Sequence, residues 1–100
     1  MLPATIRLLA HIPNGRNNAI SRAALAARLG MTDRAMRRAI EDARADGAII
    51  INTGDGNGYF TTNDIAEIRR KYWLEKHRMI SLYRSSKTLR DILKRAGEKV

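Results

Sequence analysis

The chain has no cysteine, which excludes a disulfide scaffold and a thiolate zinc site and fits a cytosolic setting. Proline occurs only at positions 3 and 13, so residues 14–100 contain nothing that obliges a helix to stop for want of an amide. Aromatic residues make up only 5% of the sequence. No lysine precedes Lys71; every cation before it is an arginine. No apolar run approaches the length of about 18 residues that a membrane span needs. The opening MLPATIRLLAHI is briefly apolar but lacks a basic leader and a small-residue cleavage site, so it reads as a helix, not a signal peptide.

What the chain has in excess is positive charge. Nineteen Lys and Arg against ten Asp and Glu give a net charge of +9 in 100 residues. That balance draws polyanions such as DNA, RNA or an acidic membrane surface. The charge is uneven: residues 1–63 hold 8 Arg and 5 acids, a net +3, whereas residues 64–100 hold 11 Lys and Arg and 5 acids, a net +6. The 44% apolar content is that of an ordinary small globular domain, with a core thin enough for partner contacts to matter.

Along the chain, Pro3 suits the first turn of a helix, with Ile6, Leu9 and Ala10 on one face and Leu8 at its flank, ended by Pro13-Asn14-Gly15. Arg16 to Asn18 is polar loop, and Ala19-Ile20 has the character of a very short strand. Ser21 is an N-cap, Leu25, Ala26 and Leu29 form an apolar stripe, and Gly30 supplies a left-handed stop. Met31 is placed to plug the junction before Thr32, the next N-cap, with Asp33 at the positive end of the new helix. Met36, Ile40 and Ala43 recur at steps of four and three and face inward, which turns Arg34, Arg38 and Glu41 outward and sets Arg37 and Arg44 on one flank. Gly47 ends this helix. Ile49-Ile50-Ile51 is a β-branched strand, Gly54-Asp55-Gly56-Asn57-Gly58 contains two hairpin dipeptides, and Tyr59-Phe60-Thr61 is the return strand.

The pair of helices from Ser21 to Gly47 carries chemistry. Reading duplex DNA with such a pair requires a core that fixes their angle, a second helix whose N-terminal half enters the major groove, and long donors there. Leu25, Leu29, Met36 and Ile40 serve the first need, Thr32 the second, and Arg34, Arg37 and Arg38 the third. An arginine fork makes two parallel bonds to a guanine edge or clamps a phosphate. Arg34 and Arg38, pointing away from the core, are assigned to base edges and Arg37 to a phosphate. Ser21 and Arg22, at the start of the preceding helix, are assigned to the backbone, with Arg28 a weaker candidate. The competing reading of these arginines is a solvated face that keeps the protein soluble.

Residues 21–47 resemble the helix-turn-helix of winged-helix proteins, on the turn Leu25-Ala26-Ala27-Arg28-Leu29-Gly30-Met31-Thr32; residues 48–61 lie where that family's wing stands. The stretches Ile12-Pro13-Asn14-Gly15 and Asn18-Ala19-Ile20-Ser21 also resemble small phage and prophage members. The resemblance covers residues 3–62. It implies a mainly α fold with a small β-hairpin, a winged domain over 1–62 (three helices plus wing), and a basic helical arm over 63–100. It further implies a sequence-specific or semi-specific duplex DNA-binding protein, a phage-type regulator or replication accessory, located in the cytoplasm with the nucleoid. Its DNA-binding set is Ser21, Arg22, Thr32, Asp33, Arg34, Arg37 and Arg38. One departure stands out: between Ile49 and Thr62 the wing has no Arg or Lys, and its only charge is Asp55.

The arm begins at Asn63 as cap, with Asp64 and Glu67 in its first turn, and runs without Pro or Gly to Gly97. Ser85-Ser86 is the expected point of bending or breakage. Ile65, Tyr72, Met79, Ser86 and Leu93 fall on one heptad seam position; Ile68, Glu75, Leu82, Leu89 and Ala96 fall on the other. Ile65, Ile68, Tyr72, Met79, Leu82 and Leu89 offer a homo-oligomer contact, the rival being a helix whose first half docks on the body. The cation-free wing and the Tyr72, Trp73 and Tyr83 set on this arm also support a second reading, an assembly module for a DNA-packaging or replication complex. No catalytic constellation, cofactor motif or metal cluster is expected: His11 and His77 are isolated, Glu41, Asp42 and Asp46 are helix-surface charges, and the glycines at 54, 56 and 58 lack the Lys-Ser/Thr of a phosphate loop.

Overall fold

The computed structural model describes every residue except Asn57. It is mainly helical with a small antiparallel sheet: α1 Pro3–Leu9, a 3-10 turn Arg16–Asn18, α2 Arg22–Leu29, α3 Asp33–Ala45, β1 Ile51–Asn52, β2 Tyr59–Phe60 and α4 Ile65–Arg95. The chain divides into two compact units, Met1–Asp64 and Ile65–Val100.

In the first unit α3 packs against both α1 and α2. The α2–α3 junction forms as its residues dictate. The Ser21 hydroxyl accepts the Ala24 amide at 3.2 Å and the Thr32 hydroxyl accepts the Ala35 amide at 3.1 Å, so both helices start on side-chain caps. Gly30 takes φ +64, its amide donates to the Ala27 carbonyl and the Met31 amide to the Ala26 carbonyl, closing α2 with a Schellman turn. Met31 itself is 42% exposed and plugs nothing: the turn uses its amide, leaving its side chain outside. Leu25, Met36, Ile40 and Phe60 are fully buried, each side chain contributing about 1.5–3 kcal/mol of apolar burial.

The inward face of α1 differs from expectation. Thr5 and Leu8 are buried and Ile6 is exposed. The stripe is Thr5-Leu8-Ile12, begun by a polar residue whose hydroxyl bonds the Asp46 carboxylate. That carboxylate also accepts the Leu2 amide at 2.7 Å, so a side chain from the end of α3 caps α1, whose own N-cap residue offers none. The helix ends at Leu9, short of Pro13.

The strands are shorter than expected, pairing Ile51 with Phe60 and Asn52 with Tyr59. Thr53 donates its amide to Gly58, so the hairpin closes over a longer loop than a two-residue turn. The expected short strand at Ile20 forms as a bridge: the Ile20 and Tyr59 amides donate to each other's carbonyls at 2.9 and 2.8 Å. Gly58 makes this approach feasible. Its φ is +108, and a β-carbon there would collide with the Ile20 carbonyl.

The second unit is one helix of 31 residues, about 46 Å at 1.5 Å per residue. It begins at Ile65, not after Asn63, because the Thr62 hydroxyl takes the Asp64 amide and holds residues 62–64 in a turn. Glu67 lies in its first turn, and the helix runs unbroken through Ser85-Ser86. None of its described residues is buried. Among the described residues no helix is long and apolar enough to cross a membrane.

Candidate nucleic-acid interface

Helix α3 separates its side chains cleanly. Met36, Ile40 and Ala43 are at most 1% exposed, whereas Arg34, Arg37 and Arg38 are all exposed on the other sides. The arrangement follows from the spacing, since residues four and three apart share a helix face.

The charged groups at the α2–α3 junction are not equivalent. The Arg22 fork grips Asp33 in a bidentate pair, Nε to Oδ1 at 3.1 Å and Nη2 to Oδ2 at 2.6 Å. Arg37, one turn on, approaches the same carboxylate at 3.1 Å. The Arg22 hydrogen bond holds the Asp33 carboxyl below the usual carboxylate range, with the charges of Arg22 and then Arg37 adding to it; the pair raises Arg22 in turn. Asp33 therefore joins the first turn of α2 to the first turn of α3, and it uses much of the donor capacity of Arg22 in doing so. At the far end of α3, Arg44 binds Glu41 at 2.8 Å and the Ile50 carbonyl at 3.0 Å. Glu41 is thereby drawn to Arg44, and Arg44 tethers the chain leading to β1.

Arg34 and Arg38 remain. Among the described residues neither has an ion-pair partner. Of the seven residues named from sequence, Ser21 and Thr32 are thus the helix caps, Arg22, Asp33 and Arg37 form one ion cluster, and Arg34 and Arg38 are exposed cations with their forks available. Arg28, in the last turn of α2, is exposed.

Sequence reasoning missed Arg16. It stands over the Phe60 ring at 5.1 Å and lines an open polar groove with Asn17, Ser21, Thr53 and Asp55. The hairpin has no cation of its own, yet one is packed beside it. Nothing in local spacing links residue 16 to residue 60; only the Asn14–Thr61 and Ile20–Tyr59 bridges bring the segments together. Among the described residues no group of three or more His, Cys, Asp or Glu side chains is placed to hold a metal ion. No family model, curated protein or solved structure matches this chain.

Proposed function

We propose that residues 1–62 form a winged helix-turn-helix domain that binds duplex DNA, with the N-terminal half of α3 in the major groove. One observation carries this reading: Arg34 and Arg38 are exposed, and without an ion-pair partner among the described residues, on the face of α3 opposite its buried stripe, while the neighbouring cation Arg22 is occupied by Asp33. A pair of arginines left uncompensated on a capped helix, in a chain of net charge +9, matches what base or phosphate recognition requires. In this scheme Arg34 and Arg38 reach base edges, and Arg37 and the amides behind Ser21 meet phosphates. Asp33 positions its two arginines and touches no DNA. A regulator or replication accessory of the phage type is the biological role this suits.

The test starts with selection of bound duplexes from a random pool, followed by affinity of the Arg34→Ala and Arg38→Ala proteins for the enriched sequence. Each variant is expected to lose about 1–3 kcal/mol on that sequence and less on random duplex. Equal losses on both would reassign the two residues to phosphates. Absence of any duplex binding at low salt would end the proposal.

A second reading, an assembly module acting through the arm, is favoured by one separate fact: none of the described residues of α4 is buried, and its seam residues Met79, Leu82 and Leu89 are exposed.

A further inference from the structure

The apolar seam of α4 needs an occupant, and the charges beside it select which. Met79 is 54%, Leu82 65% and Leu89 59% exposed, on the seam positions of one continuous helix. The positions that flank a heptad seam on either side hold Arg69, Lys76 and Arg90, and Lys71 and Arg78; from Arg69 to Ile92 they include no acid. In a parallel pair of this chain Lys71 would lie against the partner's Lys76, and the seam residue Glu75 against the partner's Glu75. In an antiparallel pair each flank would meet its own kind: aligned over the full helix, Arg69 would lie against the partner's Arg90, and no acid on either flank between Arg69 and Ile92 would offset it. The seam acid Glu75 is held by Lys71 of the same helix at 3.1 Å, which offsets that lysine and leaves Arg69, Lys76, Arg78 and Arg90 as the flank cations. Both orientations of a homodimer therefore place like charges across the contact, which in coiled coils acts against pairing.

We propose that α4 is the basic half of a heterotypic coiled coil: its seam takes an amphipathic helix of a different protein whose flanking positions are Glu and Asp. This names the partner class for the assembly reading and leaves the DNA reading of α3 independent. Apolar contact with Met79, Leu82 and Leu89 would supply affinity, and the opposed charges would supply the choice of partner and orientation.

The test uses the full chain and three synthetic five-heptad peptides. One has Leu at the seam and Glu at the flanks, one Leu with Lys flanks, and one Ser at the seam with Glu flanks. The chain alone is expected to sediment as a monomer at physiological salt. The Leu/Glu peptide should bind one to one, about 100-fold tighter than either control. Leu82→Ser with Leu89→Ser in the chain should weaken that binding about tenfold or more, with duplex DNA affinity unchanged. Self-association at physiological salt, or equal binding of the Ser-seam peptide, would overturn the proposal. So would a matching loss of DNA affinity in the double variant, which would assign the seam to nucleic acid. Failure of the α3 scheme would show instead in the Arg34→Ala and Arg38→Ala proteins, which leave α4 intact.

Discussion

A single carboxylate, Asp33, decides which arginines at the helix junction are available. Replacing it with Asn removes the acceptor for Arg22 and weakens the hold on Arg37. We expect Asp33→Asn to lower the melting temperature and to tighten binding to random duplex, read by thermal denaturation and fluorescence anisotropy. Asp33 and Asp46 both have folded-state pKa values depressed by hydrogen bonds, Asp33 by Arg22 and Asp46 by the Leu2 amide and the Thr5 hydroxyl. A depressed carboxylate stabilises the fold above its unfolded pKa of about 3.9, and that contribution is lost as pH falls through the lower folded value. Stability should therefore be flat above about pH 5 and decline below about pH 4. Asp46→Asn should flatten part of that decline in urea titrations at successive pH values. Gly58 offers the sharpest single-residue test. Gly58→Ala combines a left-handed backbone with a collision against Ile20, and the expected destabilisation is about 3 kcal/mol or more by urea denaturation. The caps and stops were legible at this scale because one residue type does one local job. The Arg22–Asp33 clamp was not: it joins residues on two helices, and no spacing within one helix announces it.

Among the elements, α2 and α3 were readable almost to the residue, since caps, apolar steps and a glycine stop all agree there. Ser21→Ala and Thr32→Ala should each cost about 1 kcal/mol, the usual worth of a capping hydroxyl. Leu25→Ala, which empties a fully buried site, should cost about 2–5 kcal/mol. Helix α1 was misread because a hydrophobic pattern does not count threonine, and Thr5 is buried through its bond to Asp46. The hairpin was located but not its register, which the long-range pairing with Ile20 sets along with the loop. The start of α4 was misplaced by one residue because the Thr62 hydroxyl takes the Asp64 amide and holds that residue in a turn ahead of the helix. Its continuity through two serines reflects how little two residues of middling propensity weigh in a helix of 31.

For the whole molecule, the overall charge was legible and its deployment was not. Eight arginines precede Asp64, but the fold pairs Arg22, Arg37 and Arg44 with acids and sets Arg16 against a ring; of the other four, Arg34 and Arg38 share one face of α3, whereas Arg7 and Arg28 stand singly in the last turns of α1 and α2. If several phosphates are neutralised, log affinity should fall linearly with log salt, by about 0.9 per phosphate contact on duplex DNA. Removing a phosphate contact such as Arg37 should shallow that slope by about one. Removing Arg34 should leave the slope in place while lowering affinity for the selected sequence.

The reciprocal backbone bonds between Ile20 and Tyr59 have a kinetic consequence. They join segments far apart in the chain, so neither amide can reach solvent by fraying at an end; the segments must first separate. In deuterium exchange these two protons should be among the slowest of the first unit, exchanging only when the body opens as a whole. The Gly54 amide, held by the neighbouring Asn52 side chain, should exchange orders of magnitude sooner. The same closure over a long span should make the docking of the hairpin on Ile20 slower than closure of the hairpin itself, whose partners lie close in the chain.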